Sequence, residues 1–144
     1  MEEQNYSNHR RLVPLFHGVL FGILVLTLIG SVVNLHESLG DHERIYSAAL
    51  ILVLVVCTLM LFSFCRIFAL KAQDRAIRAE ESLRHFAMTG KLLPAGLSVR
   101  QIVALRFASD GEFVALAQRA AAESMEPDSI KRAVKHWRAD TYRV

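Results

Sequence analysis

Apolar residues run almost unbroken from Leu12 to Leu35 and again from Ile45 to Cys65, and neither block contains an Asp, Glu, Lys or Arg. The alternation by two or by 3.6 residues that marks a half-buried strand or a surface helix is missing from both. At 1.5 Å per residue the blocks reach about 36 and 32 Å as helices, enough to cross a hydrocarbon core of about 30 Å with modest tilt. Two transmembrane helices, 12–35 and 45–65, are therefore predicted, joined by the polar connection "HESLGDHER". Gly40 suits a left-handed stop to the first helix. Asp41 suits a cap for the second, with Glu43 in its first turn.

Beyond Cys65 the pattern changes but the helix has no reason to stop, since neither Gly nor Pro occurs between Arg66 and Phe86. Positions 69, 72, 76, 79, 83 and 86 read Ala, Ala, Ala, Ala, Leu, Phe, a 3-4 spacing that predicts a small-residue seam for close approach of a partner helix. An amphipathic helix lying on lipid is the competing reading, but alanines insert weakly. Residues 87–97, with two Gly and a Pro, read as a linker. Helical patterns then restart three times. Ser98 with Gln101 and Ser109 with Glu112 have capping-box spacing, and Pro127 suits a first helical position of a helix running to Arg138. Ile102, Leu105, Phe113, Leu116, Ile130, Val134 and Trp137 are the expected core of this unit.

The expected fold is thus all-α. A polar leader (1–11) precedes a transmembrane hairpin (12–65), a cytoplasmic helical extension (66–86), the linker (87–97) and a three-helix C-terminal unit (98–144). Composition agrees, with 53% hydrophobic residues and a mean hydropathy of +0.29. A cleaved signal peptide is the rival for the first block, but the block exceeds a signal h-region and has no small-x-small site before Asn34. Charge sets orientation. Arg10 and Arg11 precede the first block, Arg44 alone lies in the connection, and Arg66, Lys71, Arg75 and Arg78 follow the second. Both termini are expected in the cytoplasm.

Candidate chemistry is sparse. Gly18 and Gly22 form a GxxxG, and Gly30 with Asn34 continues the four-residue spacing, which favours helix packing over a polar track for ions. His17 is the one ionisable group of the first block and the sole candidate for binding or relaying a proton. His36 and His42 flank the connection and are zinc-ligand types, but their spacing matches no metal signature. Cys57 and Cys65, about 12 Å apart along a helix, cannot pair within one chain and behave as small hydrophobes. From Arg66 onward, 14 Lys and Arg face 9 Asp and Glu, and Lys131, Arg132, Lys135 and Arg138 suggest a basic helix face for anionic lipid or nucleic acid. A solvated face with Trp137 in a small core is preferred, and nucleic acid is not expected as a partner. No nucleophile motif, phosphate loop or zinc signature occurs, so neither an enzyme nor a cofactor is expected.

The segments "QNYSNHRRLVPLFH", "IGSVVNL", "FALKAQDRAIRAEE", "RQIVALRFASD" and "KHWRADTYRV" together resemble a family of small bacterial membrane proteins known only as a domain of unknown function. The resemblance spans nearly the whole chain. It implies a bacterial inner-membrane location and a two-helix anchor, and it supplies no site residue. The expected function is a non-enzymatic, self-associating scaffold or partner-binding subunit, homo-oligomeric, in contact with membrane lipid and a cytoplasmic partner. The alternatives are a homo-oligomeric channel or transport accessory, and a membrane-tethered binder of anionic lipid or nucleic acid.

Overall fold

The computed structural model describes residues 4–9 and 12–140. Arg10 and Arg11 of the charge count, the first three residues of the leader and residues 141–144 of the C-terminal unit lie outside the described residues. The fold is all-α, with helices α1 (Phe21–Glu37), α2 (Ile45–Thr89), α3 (Val99–Leu105), α4 (Asp110–Ala122) and α5 (Pro127–Ala133). The chain forms two compact units, Leu12–Phe68 on the one hand and Met1–Arg11 with Ala69–Val144 on the other.

In the unit Leu12–Phe68, a π-helical turn, Leu15–Leu20, follows Pro14 and leads directly into α1. Leu15–Glu37 and α2 are both long and apolar enough to cross a membrane. Threonine hydroxyls on both turn back onto their own backbone: Thr27 donates to the Ile23 carbonyl and Thr58 to that of Leu54, each at 2.8 Å. The first helix ends at Glu37 rather than near Gly40. The Ser38 hydroxyl donates back to the Asn34 carbonyl at 2.7 Å, and Gly40, at φ +100°, turns the chain two residues later. Asp41 accepts the amides of Glu43 and Arg44 at 3.0 and 3.3 Å. It therefore caps the turn that feeds α2, and Glu43 lies before the helix instead of in its first turn.

Ala48 and Val55 are buried on α2, and Ile45, Leu52, Leu59 and Phe62 are half-buried at the same 3-4 spacing. Ser31 and Ser38 are buried on the α1 side, and the Phe16 and Phe62 rings stack at 4.2 Å. The hairpin thus closes on serine, alanine and aromatic rings.

α2 runs on three residues past the expected Phe86. It stops at Thr89 because Gly90 takes φ +68°, with its amide donating to the Phe86 carbonyl at 2.8 Å. The capping box of α3 forms as the spacing predicts, Ser98 accepting from the Gln101 amide and Gln101 from the Ser98 amide. Pro127 opens α5 as expected. Ala104, Leu105, Ala108, Phe113, Leu116, Ala117, Ala120, Ile130 and Val134 make the core of the C-terminal unit, with Trp137 packed on its edge. Phe107, absent from the expected set, is as buried as Phe113.

α5 departs from expectation. It ends at Ala133, and Val134 is extended at φ −67°, ψ 122°. From there the chain runs back along Ala108 in an antiparallel bridge to Trp137. The Arg138 amide donates to the Phe107 carbonyl at 2.7 Å, and the Ser109 amide to that of His136 at 3.0 Å. The basic face is corrected accordingly. Lys131 and Arg132 belong to α5, whereas Lys135 and Arg138 belong to an extended segment, so the four cations share no helix face.

Candidate functional site

The residues that organise the C-terminal unit are on α2, and most are charged. Glu81 and His85 are buried on a face that also carries buried Ile77. Arg84, between them, lays its guanidinium over the Phe113 ring at 4.3 Å. Its Nη1 donates to Glu81 at 2.9 Å, its Nε to Asp110 at 2.8 Å, and its Nη2 to the Ala108 carbonyl at 2.8 Å. One planar fork thereby ties α2 to the start of α4 and to the loop before it. Arg138 adds a second cation to Glu81 at 3.4 Å. These groups, with Glu80, line an open cleft of about 350 Å³. His85 donates from Nδ1 to the Lys91 carbonyl at 2.9 Å, fixing the turn after α2. Its Nε2 is buried without a hydrogen-bond partner among the described residues.

Glu112 does a job its spacing does not suggest. Ser109 stands at the N-cap of α4, but its side chain caps no amide and lies 3.5 Å from Glu112. The carboxylate instead accepts the amides of Lys135 and His136 at 3.0 and 2.9 Å, pinning the extended segment after α5. Burial works to raise the Glu112 pKa, and the amides of His136, Lys135 and Ser109 outweigh it, so the carboxyl sits below its usual value. Asp110 is also lowered, first by its hydrogen bond to Arg84 and then by the charge of Arg84.

The polar leader is not a free tail. Tyr6 donates its hydroxyl to Asp128 at 2.6 Å, and Arg132 donates to the same hydroxyl at 3.1 Å. The His9 ring meets Phe107 and Trp137 at 5.8 and 6.0 Å between centroids. Gln4 accepts the Asp140 amide at 2.8 Å, and Asp140 pairs with Arg106 at 2.8 Å. Arg132 is thus engaged with the leader and with Asp128.

The other expected positions lie outside the chain's own packing. Ala72, Ala76, Ala79, Leu83 and Phe86 are exposed, and Ala69 is half-buried. Gly18, Gly30 and Asn34 are exposed and Gly22 half-buried, and a Cβ on any of the three glycines would meet nothing within 4 Å. None of these glycines mediates the intrachain hairpin. His17 lies in the π-helical turn, half-buried, with Nδ1 3.1 Å from the amide and carbonyl of Val13. His36 and His42 are exposed, and the described residues hold no group of three or more His, Cys, Asp or Glu placed to bind a metal. Cys57 and Cys65 are exposed on α2.

The model of a family of unknown function, DUF6526, matches residues 1–144. No curated protein and no solved structure matches the chain.

Proposed function

For a chain that belongs to the DUF6526 family, a family of unknown function, we propose a non-enzymatic, self-associating integral membrane protein of the bacterial inner membrane. Its hairpin anchors the chain, and its three-helix unit presents a surface to a cytoplasmic partner. The observation that carries this reading is the placement of the small residues. The hairpin closes on Ser31, Ser38, Ala48 and Val55, and Gly18, Gly30 and Asn34 are left exposed, with Gly22 half-buried. In lipid such residues serve close approach of another helix. The orientation with both termini in the cytoplasm is supported by the leader, which packs on the same unit as residues 107–140. The surplus of cations after Cys65 supports it as well.

The test is mass in mild detergent. Wild type is expected to run as an oligomer, and Gly18→Leu with Gly22→Leu to shift it towards the monomer, measured by light scattering on a sizing column. A wild-type monomer would sink the reading.

A second reading, a homo-oligomeric channel or transport accessory, is favoured by one feature. The π-helical turn that holds His17 is a rare geometry associated with functional positions. Proton flux into liposomes would fall on His17→Ala if this reading holds. Flux no greater than that of empty liposomes for the wild type removes it.

A further inference from the structure

The cytoplasmic half of α2 has two faces, and the chain uses only one. Ile77, Glu81, Arg84 and His85 hold the three-helix unit. Ala72, Ala76, Ala79, Leu83 and Phe86 lie on the opposite side, with Leu83 68% and Phe86 49% exposed. Lipid does not account for them. Leu83 is about 27 Å of helical rise beyond Cys65, the last residue of the apolar block.

The charges beside this face select its occupant. With Ala76 and Leu83 taken as heptad positions a, and Ala72, Ala79 and Phe86 as d, Arg75 falls at g and Glu80 at e. In a parallel two-stranded coiled coil, g of one helix meets e of the other five residues further on. That separation is the one between Arg75 and Glu80. In an antiparallel pair g meets g and e meets e, and the complementarity is lost. Among the described residues neither side chain makes a hydrogen bond or ion pair, and both are exposed. Parallel is also the arrangement open to two copies inserted in one membrane with the same orientation.

We infer that the face Ala72–Ala76–Ala79–Leu83–Phe86 is the docking surface for a second copy of this chain, in parallel, with its register set by Arg75 of each copy against Glu80 of the other. The inference rests on the self-association proposed above and names where it is specified. Three alanines near the axis let the helices approach closely, so Leu83 and Phe86 close the end of the seam.

Disulfide trapping in native membranes tests it, using the full chain with Cys57→Ser and Cys65→Ser. Single cysteines at Ala76→Cys and Leu83→Cys should give a dimer on mild oxidation, several-fold more than Arg78→Cys on the flank. Arg75→Glu or Glu80→Arg alone should reduce that dimer several-fold, and the two together should restore it. Equal trapping at all three positions, in a protein that still runs as an oligomer in detergent, overturns the seam and leaves self-association standing. Seam trapping that ignores both charge changes overturns the register. A wild type that is monomeric in detergent and gives no trapped dimer removes both.

Discussion

Phe113→Ala is expected to unfold the C-terminal unit without disturbing the two apolar spans. The ring is fully buried, Arg84 stacks on it at 4.3 Å, and it sits in the cluster with Leu105, Leu116 and Ile130. Removing a buried phenylalanine typically costs about 3–5 kcal/mol in lost transfer energy and cavity formation. A unit this small has little more than that to lose. The single tryptophan reports the outcome: Trp137, 4.9 Å from the Phe107 ring, should shift its emission towards that of a water-exposed indole. Phe107→Ala should behave alike. Trp137→Ala should do less, because Trp137 is half-buried at the edge of the core rather than within it. Native-like emission in Phe113→Ala would refute this account of the core.

Arg84→Met should be nearly as damaging, for an electrostatic reason. Glu81 is only 4% exposed, and without Arg84 its sole cation among the described residues is Arg138 at 3.4 Å, whose side chain is half in solvent. Breaking a buried pair from one side typically costs about 3–5 kcal/mol, because a charge is left uncompensated. The double variant Glu81→Leu, Arg84→Met should recover much of the loss in thermal unfolding of the detergent-solubilised protein. If the double is as unstable as the single, the stranded charge is not the cause. Acid should act on the same joint. Asp110 and Glu112 both have lowered pKa values in the folded unit, so their contribution is present above the unfolded carboxylate range of about 4 and is lost as pH falls through the lower folded values.

What the sequence discloses depends on whether the signal is local. The two apolar spans, the Ser98–Gln101 capping box and the Pro127 helix start are all written in neighbouring residues, and each is where the pattern places it. The end of α5 is not local. Nothing in "IKRAVKHWR" says that the helix stops at Ala133. The stop is enforced by Glu112, Phe107 and Ala108, more than twenty residues earlier, which claim the backbone of 135–138. Hydrophobic spacing likewise finds Ala72 to Phe86, the uncovered face of α2, and overlooks the covered one. That face is built from Glu81, Arg84 and His85, residue types that periodicity assigns to solvent. The leader is polar throughout and gives no signal of the dock it makes.

That dock has a consequence for how the protein is made. Tyr6 and His9 leave the ribosome well before their partners Phe107, Asp128, Arg132 and Trp137, which follow both apolar spans in the chain. At elongation speeds of up to about 20 residues per second, the leader waits at least several seconds for a surface to meet. On the membrane reading proposed above, both apolar segments enter the bilayer during that interval and the second returns the chain to the leader's side. A chain whose second span fails to insert, or inserts inverted, delivers its tail to the wrong compartment or the wrong place. On that reading, closure of residue 6 on residue 128 follows insertion of both spans and records that it succeeded.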